Sequence, residues 1–229
     1  MKKAKTKDKK GKTEDIKEEI KIYISVLVLG DEFTGKSSLI NFYKTQIFLK
    51  TNRITTFIPV FKEVDTPKGK VTFHISEYSG RICPMNESIL LSFDHFPNYR
   101  ELFLKYSGIL DYIILLYDST NRRSFEGLSE YLKYIEQKRK KPIKVYILGT
   151  KYDLIDNKVS IEDAENFCKS QNIDFKPVSC VTSEGRDNIN NTFNDIANHF
   201  VTTELYKEKL EKEEKKIKEA KKKAKCNII

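Results

Sequence analysis

Short apolar runs rich in β-branched residues alternate along the chain with segments whose apolar residues recur at helical spacing. Ile22–Leu29 reads IYISVLVL, a continuous run that predicts a strand buried on both faces. Lys36–Phe48 follows with Leu39, Ile40, Phe42, Tyr43 and Ile47 spaced as on one side of a helix. Phe57–Val64 and Val71–Glu77 predict a strand pair joined by the turn Thr66-Pro67-Lys68-Gly69. Ile109–Tyr117 and Ile143–Leu148 predict further buried strands, and Asp174–Val178 a short last one. Ser124–Lys138, Ile161–Gln171 and Arg186–Phe200 predict helices. The order β-α-β-β-α-β-α-β-α-β-α predicts an α/β protein built on an open, mostly parallel sheet with helices on both faces. Such sheets bind ligands in the loops at the carboxyl ends of their strands, so functional residues should stand just after strands.

Composition changes this picture only at the two ends. At 229 residues, and about 150 residues per domain, the chain suits one compact domain with appendages or two small ones. Its net charge of +9 is unevenly placed. Residues 1–21 hold nine Lys against five acids and residues 203–226 ten Lys against six, leaving 23 basic and 22 acidic residues between them. The middle is nearly neutral. That argues against a nucleic-acid-binding domain, whose basic patch lies on the folded surface, and predicts a disordered basic extension at 1–21. No apolar stretch approaches the ~18 residues of a spanning helix, and no apolar segment follows the basic N-terminus as in a secretory signal. Cys83, Cys168, Cys180 and Cys226 show neither CxxC spacing nor disulfide-rich density, which points to a reduced, cytosolic compartment.

Chemistry-bearing residues do stand after the strands. The first strand runs into Gly30-Asp31-Glu32-Phe33-Thr34-Gly35-Lys36-Ser37, with Ser38 next. This is a GxxxxGKS phosphate loop: glycines let backbone N–H groups turn toward phosphates, Lys36 supplies a cation, and the Ser37 hydroxyl is placed to ligate Mg²⁺. The following helix adds its positive N-terminal end. Glu77-Tyr78-Ser79-Gly80 ends the third strand where a DxxG element is expected. Tyr117-Asp118-Ser119-Thr120 ends the fourth and runs into NRRSF, Gly149-Thr150-Lys151-Tyr152-Asp153-Leu154 ends the fifth, and Ser179-Cys180 ends the last.

With these segments the chain resembles the Ras superfamily of small GTPases over about residues 20–202. YDSTNRRSF and the Tyr106/Gly108 pair look most like the Rab branch, whereas TKxDL in place of NKxDL looks like the Rho branch without its insert. The resemblance implies a GTP-binding domain at 22–202 with the six-stranded, mostly parallel sheet of that fold and one antiparallel edge strand. It implies GTP or GDP with Mg²⁺ as ligands. Asp153 would accept N1–H and N2–H of guanine, the Lys151 stem would pack along the base beside Thr150, and the Ser179–Cys180 backbone would meet O6. Phe48 would set its ring against the base edge, and Gly80 would lie by the terminal phosphate. Ser37, a switch threonine and, through water, Glu77 would hold Mg²⁺. Counting forward from Phe48 favours Thr55 as that threonine; counting back from Phe61 favours Thr56, which is preferred because the strand register behind it is better anchored. A phosphate-loop kinase is disfavoured, since TKxD and Ser-Cys at two later strand ends have no place in it.

Departures from the family pattern bear on catalysis. Glu77 replaces Asp and is one methylene longer. Arg81 stands where a Gln orients the attacking water, and a guanidinium offers no acceptor. Glu32 and Phe33 occupy loop positions that are small in relatives, and a carboxylate at 32 would crowd an incoming arginine finger, a group worth ~10³–10⁵ in rate. The expectation is nucleotide binding with slow hydrolysis carried by Lys36, Thr56 and Arg81, or a pseudo-GTPase that holds nucleotide to present a surface. From Gly80 to Asp118 there are 38 positions, more than Rab proteins use there. The extra stretch near 82–96, with the non-catalytic His95, reads as a surface loop or a partner-binding element.

At 203–229 the pairs Glu208/Lys212, Glu211/Lys215, Glu214/Lys218 and Glu219/Lys223 predict a solvated helix, with Leu205, Leu210 and Ile217 too sparse for a coiled-coil seam. Lys221–Lys225 then precede Cys226-Asn227-Ile228-Ile229, an imperfect CaaX box beside basic residues. Prenylation of Cys226, geranylgeranyl over farnesyl, would act with those lysines to place a monomeric protein peripherally on the cytosolic face of an endomembrane or the plasma membrane. An exchange factor, an activating protein and effectors would be its partners, and nucleic acid would not. Position 2 is not Gly, which excludes myristoylation.

Overall fold

A computed structural model describes residues 20–48, 59–77 and 107–226, with side chains as far as 223. Strand β1 (Ile22–Gly30) lies inside a six-stranded sheet of order β2-β3-β1-β4-β5-β6. The others are β2 (Val60–Thr66), β3 (Gly69–Glu77), β4 (Tyr112–Asp118), β5 (Lys144–Thr150) and β6 (Asp174–Pro177). All neighbouring pairs are parallel except the edge pair β2–β3, as the sequence predicts.

The apolar run of β1 is used on both sides. Ile22, Ile24, Val26 and Val28 face a core formed with α1 (Lys36–Thr45) and α5 (Ser183–Phe200). Leu27 and Leu29 face a second core under α2 (Arg122–Glu126), α3 (Leu128–Lys138) and α4 (Ile161–Ser170). All seven residues of β4 are buried. The first core is keyed by Phe193, stacked on Tyr43 at 3.7 Å and edge-on to Phe73 at 5.4 Å. Each such aromatic pair contributes about 0.5–1.5 kcal/mol beyond area burial.

Several boundaries differ from the pattern reading for local reasons. The β2–β3 ladder continues to Thr66 and Gly69, so the turn is only Pro67-Lys68, with Gly69 at φ +117°. Phe57 and Ile58 lie outside the described residues, as do 78–106, where the order predicts a helix. Ser107–Ile109 form a turn before β4. Gly127 divides the long predicted helix into α2 and α3. Helix α5 starts at Ser183 rather than Arg186, because the Thr182 side chain caps it by accepting from the Gly185 N–H at 3.2 Å.

The last helix, α6 (Glu204–Cys226), departs furthest from expectation. Its base is docked, not solvated. Tyr206 is buried edge-on to Phe200, and Leu205 and Leu210 pack against the first core. These residues share one short face near the helix start, which a search for a continuous seam passes over. Lys209 donates to Tyr23 O at 2.8 Å and to Asp111 Oδ2 at 2.6 Å. The Asp111 carboxylate, wholly buried, also accepts from the Ser25 N–H at 2.8 Å and pairs with Lys141 at 3.2 Å. Lys68 reaches Val201 O at 2.7 Å, tying the β2–β3 turn to the same corner. No helix of the described residues is long and apolar enough to cross a membrane.

Asp111 therefore anchors the start of α6. Asp111→Ala should destabilise the fold by about 2–3 kcal/mol, less than the ~3–5 for breaking a fully buried pair, since both lysines can regain water. Hydrogen exchange at residues 205–210 should accelerate in the variant. Native protection there would show that apolar packing alone holds the helix.

Candidate functional site

Five parallel strands, β1, β3, β4, β5 and β6, end at the carboxyl edge of the sheet, and their last residues and the loops leaving them carry the expected residues. Gly30 closes β1 at φ +145°. A Cβ at this position would lie 2.3 Å from Leu116 O, so only glycine lets the chain leave β1 beside β4. The loop then turns on Asp31, whose carbonyl accepts from Thr34 Oγ1 at 2.9 Å. Gly35, at φ +87°, begins α1 without any side-chain cap. At this first turn of α1 the helix dipole favours an anion. Ser38 follows, half-buried, in that first turn.

Lys36 folds back across the loop. Its ammonium, in a residue only 5% exposed, donates to Gly30 O at 2.9 Å and to Asp31 O at 2.6 Å. Burial lowers its pKa to about 8, with the carboxylates of Glu77, Asp31 and Glu32 acting in the opposite direction. The Asp31 side chain is itself held, accepting from the buried Tyr131 hydroxyl of α3 at 2.9 Å. Glu32 is exposed, and Phe33 is 83% exposed with φ +62°. A bulky side chain in the left-handed region costs about 1–3 kcal/mol.

Ser37 and Glu77 come together. The parallel register sets Glu77 beside Val28, and the Ser37 hydroxyl lies 2.7 and 2.8 Å from its two carboxylate oxygens. The extra methylene of Glu77 does not remove it from the site. Hydroxyl and carboxylate are hard oxygen donors that fit Mg²⁺. Among the described residues no group of three or more His, Cys, Asp or Glu could hold a metal ion. A cation here would therefore draw its remaining ligands from other oxygens, as Mg²⁺ does with water and substrate phosphates.

Some 116 positions along the chain from Thr34, Thr150 hooks the phosphate loop to the end of β5: its hydroxyl lies 2.8 Å from Thr34 O and 3.0 Å from Tyr117 O. Lys151 takes φ +62° and sets its ammonium 2.5 Å from Asp118 Oδ2. Asp118 is fixed in turn, its Oδ1 accepting from Thr120 N–H at 2.9 Å and Thr120 Oγ1 at 2.7 Å. Asp153 is half-buried two residues on, and its carboxylate makes no hydrogen bond or ion pair among the described residues. Ser179 and Cys180 lie opposite. Burial, then the Asp153 carboxylate, push the Cys180 thiol up to about 11, while Arg186 pulls it down. Phe48 is half-buried beyond the end of α1, with no ring contact among the described residues.

The geometry thus gathers Gly30–Ser38, Glu77, Thr150, Lys151, Asp153, Ser179 and Cys180 along one edge. Thr55, Thr56, Gly80, Arg81, the stretch near 82–96 and the side chain of Cys226 lie outside the described residues. Three supports were not legible from the sequence. Tyr131, Asp118 as the Lys151 partner, and Arg186 each act across the fold. Only Asp118 stood in a motif that could have signalled it.

Comparison with known proteins agrees with this geometry. The Ras family model matches residues 95–202. The chain is 31% identical over 179 residues to Ras-related protein Rab-7a of Paramecium octaurelia, covering 75% of this chain and 78% of that one. It is 28% identical over 185 residues to Ras-related protein Rab-9A of Homo sapiens, covering 78% and 83%. It is 27% identical over 164 residues to Ras-related protein Rab-26 of Bos taurus, covering 70% and 58%. With a GxxxxGKS loop and a Ser–Glu pair beside it on a sheet of this order, and with relatives of this extent, the chain belongs to the Ras superfamily of small GTPases, as a divergent Rab-like member.

Proposed function

We propose that this Rab-like protein is a switch that binds GTP and GDP with Mg²⁺, hydrolyses GTP slowly, and recruits effectors to a membrane in its GTP-bound form. The observation that supports it best is the common edge on which Lys36, the Ser37–Glu77 pair and the Asp153 carboxylate, unpartnered among the described residues, stand. Lys36 and the N-terminus of α1 would bind the phosphates, and Ser37, Glu77 and Thr56 would hold Mg²⁺. Bound there, the ion supplies charge neutralisation between phosphate oxygens. Lys151, fixed by Asp118, would lay its stem along the purine. Asp153 would pair with the N1–H and N2–H edge, which adenine lacks.

Slow turnover follows from what the loop residues can donate and accept. Arg81 has donors only, so it cannot accept a hydrogen bond from an attacking water as a Gln does. Glu32 adds an exposed carboxylate on the phosphate side. Arg81 and the exposed Glu32 also favour a second reading, a hydrolysis-deficient pseudo-GTPase whose bound nucleotide is structural.

Three measurements test the proposal. GTP and GDP should bind far more tightly than ATP in equilibrium titrations, and Asp153→Asn should shift preference toward xanthine nucleotides. Equal ATP and GTP affinity in the native protein would sink the guanine assignment. Single-turnover hydrolysis should run at or below the ~10⁻⁴ s⁻¹ scale of unassisted relatives, with Arg81→Gln raising it. A native rate well above that scale refutes an impaired site, and no turnover in either protein favours the pseudo-GTPase. The protein should partition to membranes through prenylated Cys226 and Lys221–Lys225, so that Cys226→Ser releases it to the soluble fraction. A Cys226→Ser protein that sediments to the native extent places the anchor elsewhere.

A further inference from the structure

The base loop at 179–182 is held in one orientation by a residue outside the sequence motif. Ser179 Oγ accepts from Val181 N–H at 2.9 Å and Thr182 N–H at 3.3 Å. Arg186 Nε donates to Cys180 O at 2.9 Å. The carbonyl of Cys180 and the N–H of Val181 belong to one peptide unit, so both ends of that unit are pinned. Rotation of the loop about its own axis is blocked. The preceding unit keeps a donor, the Cys180 N–H, without a hydrogen-bond partner among the described residues. Such a donor, near the equally unpartnered Asp153 carboxylate, is a recognition element for a planar edge that offers both an acceptor and N–H groups.

The place of Arg186 is informative because helix electrostatics oppose it. It sits in the first turns of α5, where the helix dipole disfavours a cation, and it makes no ion pair among the described residues. Its guanidinium lies 5.9 Å from the Phe42 ring centroid, and its polar contact is the Cys180 carbonyl. Reach is made possible by Gly185, where a Cβ would lie 2.3 Å from Ser179 N. Helix and loop therefore approach closely enough for Nε to span the gap.

We propose that Arg186 is a specificity-positioning residue: by holding the Cys180 carbonyl it presents the Cys180 N–H to the purine O6, an inference that rests on the guanine reading above. Asp153 reads the N1–H and N2–H side independently. Arg186 acts through the peptide unit and touches no reacting atom.

Nucleotide analogues separate this role from general support of the fold. Arg186→Met keeps the aliphatic stem beside Phe42 and removes the donor. It should weaken GDP and IDP equally, by about tenfold, the scale of one ~1.4 kcal/mol interaction. It should leave 2-aminopurine riboside diphosphate, which lacks O6, nearly unchanged. Arg186→Gln puts an amide nitrogen the same number of bonds from Cα as Nε and should restore most of the GDP affinity without the charge. Equal loss for all three nucleotides, or no rescue by Gln beyond Met, overturns the assignment. Native protein that binds GDP no better than the 2-aminopurine nucleotide defeats the guanine reading itself, and with it this one, before any substitution is made.

Discussion

The site depends on a buried ammonium that must be satisfied by backbone. Lys36 is nearly inaccessible, and a charge in that position is costly unless it is hydrogen-bonded. The loop answers by turning the carbonyls of Gly30 and Asp31 inward to it. Those carbonyls share peptide units with the N–H groups of Asp31 and Glu32, so fixing the oxygens also directs the donors. One cation thus sets the inner wall of the loop and, through planarity of the peptide, its outer wall. The remaining supports preserve that shape: Gly30 permits the passage past Leu116, Tyr131 holds Asp31, and Thr150 binds the loop's carbonyl at Thr34.

The same device recurs at the other end of the edge. Arg186 and Ser179 hold one peptide unit of the base loop, as Lys36 holds two of the phosphate loop. Between them, Lys151 is placed by Asp118 and takes the left-handed backbone its turn demands. In both loops, side chains fix backbone groups. At Phe33 and Cys180 the loops fix the backbone, through a left-handed φ and a held carbonyl.

What could be read from the sequence followed the reach of each interaction. The succession of strands and helices, the phosphate-loop motif and the residues after each strand were legible, because apolar runs, helical periodicity and loop spacing are local. The β1 run announced a strand covered on both faces, and it is. The misplaced boundaries were set by contacts between distant segments or by single caps. Thr182 starts α5 early through one hydroxyl. The base of α6 is docked because Lys209 finds Asp111, 98 positions away. Tyr131 and Arg186 stand in no motif, since their meaning lies in which loop their helix passes.

Charge shows this most clearly. Counted by segment, the middle of the chain is neutral and the tails basic, which reads as a plain surface with charged ends. In the folded protein, several of the middle's cations are directed inward or along the backbone. Lys36 meets the phosphate-loop carbonyls, Lys62 the carbonyl of Tyr43, Lys68 that of Val201, and Lys141 the buried Asp111. Carbonyls at the ends of elements lack partners within their own helix or strand. A lysine stem can span the distance while covering apolar surface along the way. Neutral composition therefore conceals a working set of cations that close strand and helix ends. Lys209 belongs to that set although it lies in the basic tail, so the folded unit reaches into α6 at least as far as that residue.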